Sequence, residues 1–437
     1  MVEKQAEKFR QSFVTHVNED RLMDCMRCGF CLPACPTYIE SGYDETQSPR
    51  GRIALMKAVQ DGMVKWDSSI GEAFDLCLGC RACEPACPAG VQYGTLIEET
   101  RDAVNFAKDQ SWKEKVVRKV AFDHLFANQK KMKTAVKLVT FYQKSGLQKA
   151  ARKIGFFDLF PSIKTMEKTL PHLPKSRAEY IRHGPAKAKV AFFTGCLMDT
   201  MFNETNRNTI ELLERLGCEV IAPKNQQCCG ALQGHSGEMD RAKRNAISNL
   251  VAFDRMEVDY VVNNAGGCGA FLSEYDRLFE VDNELHRKAK EFVAKQIDIS
   301  SLLFKMGIID ELEKLPSQES SKIITYQDSC HLRNVNGVIH EPRAILQSIK
   351  GSTFKEMKGA DLCCGSAGIY NLLQPKMANK ILDSKMNEVQ KTKAVVIITT
   401  NPGCLLQMKA GIERENLSST VRAVHLVDYV YEQIVKV

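Results

Sequence analysis

The stretch Val258-Asp259-Tyr260-Val261-Val262-Asn263-Asn264-Ala265-Gly266-Gly267-Cys268 has a twin at Ala394-Val395-Val396-Ile397-Ile398-Thr399-Thr400-Asn401-Pro402-Gly403-Cys404, and that pairing decides the architecture. In each, a short apolar, β-branched run leads through glycine to a cysteine. Working outward, the same features recur in the same order. A β-rich run ends at a first cysteine (Val190-Ala191-Phe192-Phe193-Thr194-Gly195-Cys196; Ile323-Ile324-Thr325-Tyr326-Gln327-Asp328-Ser329-Cys330), a double cysteine follows (Cys228-Cys229-Gly230; Cys363-Cys364-Gly365), and a helix leads to the twin stretch. In the first copy 31 residues separate Cys196 from Cys228 and 38 separate Cys229 from Cys268; in the second the gaps are 32 and 39. Helices between short apolar strands imply a repeated α/β unit with a parallel sheet, its cysteines at strand ends, where such folds gather ligands.

A different repeat occupies the N-terminal part. Cys25-x2-Cys28-x2-Cys31-x3-Cys35-Pro36 and Cys77-x2-Cys80-x2-Cys83-x3-Cys87-Pro88 share one spacing. In this pattern three close thiolates wrap one [4Fe–4S] cube and the fourth reaches across to the other. On that rule Cys25, Cys28, Cys31 and Cys87 hold the first cluster, and Cys77, Cys80, Cys83 and Cys35 the second. Structural zinc fits poorly, because it uses two pairs of ligands rather than four cysteines within eleven residues. Two clusters in series pass electrons singly and so require a source and a sink. Between the runs, Ser48-Pro49-Arg50-Gly51-Arg52-Ile53-Ala54-Leu55-Met56 reads as a helix start followed by an apolar stripe, and the cluster domain is expected to be all-α. Arg50 and Arg52 are expected on the solvated start of that helix, with tuning of a cluster as the alternative.

Seventeen cysteines gathered at metal-ligand spacings suit a reducing compartment, so a cytoplasmic protein is expected. The opening MVEKQAEKFRQSFV lacks the apolar core of a signal peptide, and no apolar run approaches the roughly 18–20 residues that span a bilayer. Residues 111–160 hold twelve Lys or Arg against three acids, a balance of +9 in a chain of net +7, so the basicity is one local patch. Interleaved apolar residues make these helices amphipathic, which suits peripheral docking on anionic lipid or on an acidic protein face. A solvated basic face joining two domains is the equal alternative, and nucleic acid is disfavoured for want of a binding motif.

These features together carry a family resemblance. The Cys…Cys-Cys-Gly…Cys units resemble the cysteine-rich CCG domains of the heterodisulfide reductase group, and their fusion to a two-cluster helical ferredoxin resembles the iron–sulfur subunit of glycolate oxidase. Pro49-Arg50-Gly51-Arg52, Phe122-Asp123-His124-Leu125-Phe126, Cys330-His331-Leu332 and Asn401-Pro402-Gly403-Cys404 contribute to the match, which covers essentially the whole chain. The resemblance implies an oxidoreductase subunit taking electrons from a partner FAD subunit that oxidises glycolate to glyoxylate, and passing them toward a quinone or similar acceptor. No G-x-G-x-x-G between a strand and a helix suggests a nucleotide site of its own, and no catalytic residue is assigned. Similar subunits serve anaerobic glycerol-3-phosphate and lactate dehydrogenases, and a heterodisulfide-reductase-like thiol or disulfide reductase is a further alternative.

The expected organisation is multidomain: a helical ferredoxin-like domain at 1–105, a basic helical linker at 106–186, and two repeated α/β CCG domains at 187–310 and 320–437. CCG domains of the heterodisulfide reductase kind end in C-x2-C, whereas here Ala265 and Asn401 stand three residues before the last cysteines. Each unit therefore keeps four candidate ligands: Cys196, Cys228, Cys229 and Cys268, and Cys330, Cys363, Cys364 and Cys404. Four thiolates suit an iron–sulfur cluster or zinc, and adjacent cysteines lean toward the cluster. His331, beside Cys330, is a candidate cofactor ligand or proton carrier, with a bond to a loop carbonyl as the equal alternative; His235 is expected to bond a loop carbonyl. The one remaining cysteine, Cys218, is expected to be a buried structural thiol.

Overall fold

Ser48 and Pro49 begin a helix as their residue types dictate. The Ser48 hydroxyl accepts the Gly51 N–H at 2.9 Å, and Pro49 takes a first-turn position, where its missing donor is not needed. The helix Pro49–Gln60 then buries Arg52, Ile53, Met56, Val59 and Gln60. Gly51 is required by packing: a Cβ there would lie 1.9 Å from the Glu45 carbonyl oxygen. The structure is a computed structural model, and it describes residues 2–65, 67–109, 111–125, 131–134, 142, 145, 184–316 and 321–435. Most of the expected basic linker lies outside the described residues. No helix among them is long and apolar enough to cross a membrane.

The chain forms two compact units. The first comprises Met1–Asp123 with two later segments, Gly230–Arg244 and Leu362–Ile381. It is built from the helices Val2–His16, Pro49–Gln60, Ser68–Asp75, Tyr93–Ala107 and Trp112–Lys119 and several short turns. Phe13, Ile53, Met56, Val59, Phe74, Leu96 and Ile97 form its core, and Cys77 and Cys83 belong to the same cluster. The later segments are fixed by polar contacts within this unit. Asn105 Nδ2 donates to the carbonyls of Ser236 and Gly237 at 2.8 Å, Arg241 grips Asp123 at 2.7 and 3.0 Å, and the Tyr370 hydroxyl donates to the Leu76 carbonyl at 3.0 Å.

The second unit contains two four-stranded parallel sheets. In the first, β1 (Ala188–Phe193), β2 (Cys218–Ile221), β3 (Tyr260–Asn263) and β4 (Gln296–Asp298) lie in the order β2-β1-β3-β4. In the second, β5 (Lys322–Tyr326), β6 (Ser352–Phe354), β7 (Val396–Thr399) and β8 (Arg422–His425) lie in the order β6-β5-β7-β8. The central pairings correspond, with Val190 opposite Tyr260 and Ile324 opposite Val396. One buried cluster runs through both sheets, including Val190, Phe192, Val262, Ile324, Tyr326, Val396 and Ile398. Cys218, fully buried at the head of β2, is part of it. Each apolar strand of the twin stretches thus becomes a central, all-round-buried strand, as parallel sheets require.

Candidate cluster-binding sites

Within the first unit, the two N-terminal runs wind in the same way. Positive φ angles fall at matching places, Arg27 (55°) and Gly79 (61°) two residues after the first cysteine, Gly29 (89°) and Arg81 (60°) four after it. These left-handed turns curl each run around a cavity. One cavity is lined by Cys25, Cys28 and Cys31 of the first run and Cys87 of the second. The other is lined by Cys77, Cys80 and Cys83 of the second run and Cys35 of the first. The groupings are those the spacing predicts. Cys28 is exposed and Cys25, Cys31 and Cys87 are half-buried, whereas Cys35, Cys77, Cys80 and Cys83 are all buried.

Donors converge on the buried set. The Gly79 N–H and the Tyr93 hydroxyl donate to Cys77 Sγ at 3.3 and 3.6 Å, and the Thr37 hydroxyl lies 3.3 Å from Cys35 Sγ. Arg101 Nη2 donates to the Cys77 carbonyl at 2.5 Å. Arg52 is the unexpected member: it lines this cavity and is fully buried, not on a solvated helix start. Arg52 sits four residues before Met56, on the apolar stripe itself, and that spacing was the available signal. Burial opposes the Cys77 thiolate, but the Arg52 and Arg101 guanidiniums together with the Gly79 and Tyr93 hydrogen bonds outweigh it and hold the thiol below its ordinary range. Cys83 is pushed well up by burial and by neighbouring Cys80 and Cys77.

In the second unit, Cys196, Cys228, Cys229 and Cys268 come together at the C-terminal ends of β1 and β3. Cys196 Sγ lies 3.5 Å from Cys228 Sγ, and Cys229 is in hydrogen-bonding contact with Cys228 and Cys268. The contact with Cys228, burial and repulsion from Cys228 push Cys196 well above the ordinary thiol range. At Cys229 the bond to Cys228 pulls down, but the bond to Cys268, burial and repulsion from Cys268 and Cys196 outweigh it and push the thiol well up. Two side chains hold the double cysteine: Asn249 Nδ2 donates to the Cys228 carbonyl at 3.0 Å, and the Tyr275 hydroxyl donates to the Cys229 carbonyl at 2.7 Å. Gly230 and Gly365 each follow a double cysteine with φ of 94° and 86°. Asn249 and Tyr275 gave no signal in the sequence, because their role depends on long-range packing.

Of the other set, Cys330 and Cys404 lie in the second unit, Cys363 and Cys364 in the Leu362–Ile381 segment of the first. Cys330 Sγ is 3.6 Å from His331 Nδ1, and Asn401 Nδ2 donates to Cys404 Sγ at 3.5 Å. Asn401, standing where the five-cysteine pattern has a ligand, also accepts the Gly267 N–H at 3.1 Å. His235 Nδ1 lies 2.7 Å from the nearly buried Glu98 carboxylate, a partner the sequence could not place. Among the described residues no group of three or more Cys, His, Asp or Glu side chains is spaced to hold a single metal ion.

Three family models match the chain: a 4Fe-4S dicluster domain over residues 21–91, the linker region of the glycolate oxidase iron-sulfur subunit over 113–170, and the cysteine-rich domain twice, over 190–273 and 324–409. A probable glycolate oxidase iron-sulfur subunit of Bacillus subtilis (strain 168) is 54% identical over 98% of both chains. The glycolate oxidase iron-sulfur subunit of Escherichia coli (strain K12) is 29% identical over 91% of this chain and 92% of its own. The lactate utilization protein A of Oceanobacillus iheyensis is 33% identical over 55% of this chain and 95% of its own.

Proposed function

This chain belongs to the family of glycolate oxidase iron–sulfur subunits, and from that membership we propose that it carries electrons from a partner FAD subunit, which oxidises glycolate to glyoxylate, toward a quinone or similar acceptor. The observation that carries this reading is the exchange of fourth cysteines between the two runs, which surrounds each cavity with four thiols. The donor set fits, since four soft thiolates are what a [4Fe–4S] cluster takes. Cys25, Cys28, Cys31 and Cys87 would hold the first and Cys77, Cys80, Cys83 and Cys35 the second. Bound there, such clusters supply one-electron transfer. Oxidising a CH–OH carbon releases two electrons and two protons; the substrate chemistry belongs to the partner, and this chain takes the electrons one at a time. The residues around the second cavity shield its thiolates from water and donate to their sulfurs.

The organisation proposed is an all-α ferredoxin-like domain at 1–105, a linker at 106–186 and CCG domains at 187–310 and 320–437. The extents of the family matches and the equal strand orders of the two sheets support it. In the CCG domains, Cys196, Cys228, Cys229 and Cys268, and Cys330, Cys363, Cys364 and Cys404, would hold a further iron–sulfur cluster or zinc, with His331 beside the second set. Peripheral contact of 111–160 with the membrane from the cytoplasmic side belongs to the same reading. The lactate utilization relatives favour one alternative, a lactate-oxidising partner. Reduction of an artificial acceptor by the reconstituted complex with glycolate but not lactate would remove it.

The test is iron, zinc and acid-labile sulfide per chain on anaerobically purified protein, beside the Cys196→Ser/Cys330→Ser double variant. The reading expects about eight iron or more, four per N-terminal site. Fewer than that in the wild type overturns it. A value above eight that falls in the double variant makes the CCG sites iron–sulfur centres; zinc unchanged by iron removal makes them zinc sites.

A further inference from the structure

We propose that Arg52 is the counter-cation of the second cluster, the one assigned to Cys35, Cys77, Cys80 and Cys83, and that it raises the reduction potential of that cluster alone. The inference rests on the cluster assignment above.

Arg52 has 0% exposure, and a fully buried guanidinium demands a compensating negative charge. Its hydrogen bonds supply none. Nε donates to the Ala73 carbonyl at 2.6 Å, Nη1 to the Gln47 carbonyl at 2.7 Å, and Nη2 to Gln47 Oε1 at 2.8 Å and Thr37 Oγ1 at 3.1 Å. The Tyr93 hydroxyl bonds the guanidinium as well, and burial pushes that phenol well up, so it keeps its proton; every acceptor is neutral. They fix the planar group in place while leaving its charge uncompensated. The charge faces the cavity that the four buried cysteines line, and the Thr37 hydroxyl spans the gap between Arg52 and Cys35 Sγ. Four thiolates around a [4Fe–4S] core carry net negative charge that grows by one on reduction. A cation fixed in a site shielded from water therefore favours the reduced form and offsets the penalty that burial places on it.

The other cations nearby differ in this respect. Arg81 lines the same cavity but is paired with Glu84 at 2.7 Å. Arg101 donates to the carbonyls of Phe74, Cys77 and His235, and Asp75 lies within its field. At the first cavity, Arg50 is gripped at both ends by Glu45, at 2.6 and 3.1 Å, and Arg27 is exposed, where water and salt screen it. The helix Pro49–Gln60 thus presents one arginine to each cavity: Arg50, neutralised and wet, to the first, and Arg52, unneutralised and dry, to the second.

The test is a potentiometric titration followed by electron paramagnetic resonance on full-length wild type, Arg52→Gln, Arg52→Lys and Arg50→Gln, with iron and sulfide determined on each. In Arg52→Gln one midpoint should fall by at least the 59 mV that a tenfold change in a one-electron equilibrium represents, while every other midpoint stays put. Arg52→Lys, which keeps the charge without the fork, should recover most of the shift, and Arg50→Gln should leave the second midpoint unchanged. Unmoved midpoints in Arg52→Gln, or equal shifts in the Gln and Lys variants, overturn the proposal. If Arg52→Gln loses four irons, Arg52→Lys decides: retention of four irons and the midpoint supports a charge role, and loss of both rejects it. A wild type without two clusters would instead refute the assignment on which the inference rests.

Discussion

His425 and Asp298 are equivalent residues, each the last of its sheet's outer strand and each capping the helix that follows. Asp298 Oδ1 accepts the Ser300 N–H at 2.8 Å, and His425 Nδ1 accepts the Val427 N–H at 3.2 Å. Because Nδ1 accepts, the imidazole proton sits on Nε2, which donates to the Asn264 carbonyl at 2.9 Å. Burial drives His425 down to about 4 from 6.5, so the folded protein keeps it neutral while the unfolded chain takes up a proton. Its contribution to stability is full above pH 6.5 and is lost as pH falls through that value toward 4. Between pH 7.5 and 5.5 the wild type should lose about 1 kcal/mol that His425→Gln does not, by denaturant unfolding at both pH values. Parallel pH profiles would reject this. Asp298 and Asp428, pushed up to about 6 by burial, work with the opposite sign, losing stability as pH rises from 4 to 6, so the wild type's own profile cannot isolate the histidine. At this scale the sets of N-terminal cysteines that line each cavity were legible because cluster chemistry constrains spacing along the chain. Glu98 and Asn249 were not, because what satisfies a buried polar group is set by residues distant in sequence; for Arg52 the apolar stripe signalled burial but not the groups around it.

At the level of elements, the apolar strands were legible and the contacts between the elements were not. The twin stretches predicted strands feeding cysteines, and β3 and β7 occupy those places. The structure adds that Cys196 and Cys330 begin short helices, Cys196–Thr200 and Cys330–Asn334, while Cys268 and Cys404 sit in the first turn of Gly266–Leu272 and Pro402–Arg414. Gly266 shows how closely the two halves approach. A Cβ at this position would lie 2.4 Å from Ser329 Oγ and 2.8 Å from Leu332 Cβ, and its N–H donates to the Thr400 carbonyl at 3.1 Å. Gly266→Ala should therefore force the helices Gly266–Leu272 and Cys330–Asn334 apart and cost about 1–3 kcal/mol. An unshifted denaturation midpoint would show that the contact yields without cost. Gly337, with open space around its missing Cβ, is not a matched control, because its φ of 68° strains any other residue.

For the molecule as a whole, charge is the property most unevenly shared, with +9 in residues 111–160 of a chain carrying +7. Where this segment is described, Trp112, Val116 and Val120 are 71%, 50% and 53% exposed at a spacing of four along one helical stretch. Arg118 and Lys133 are committed to Glu238 and Asp199, at 2.6 and 2.7 Å. Lys115 and Lys119 are thus the better targets. Trp112→Ser/Val116→Ser and Lys115→Glu/Lys119→Glu should each reduce co-sedimentation with anionic vesicles several-fold, and binding at the wild-type level by both variants would reject the lipid contact. Sequence reading also divided the chain into consecutive blocks, whereas the first unit takes in Gly230–Arg244 and Leu362–Ile381. That composition sets an order of events during synthesis. A ribosome delivers both cysteine runs early, yet the unit that holds them lacks parts of itself until residue 381 has emerged, including Tyr370, which anchors the carbonyl next to Cys77. Cluster insertion into a finished site is therefore a late event in the life of a nascent chain, and a polypeptide released prematurely would carry eight N-terminal thiols in a unit still missing its final pieces.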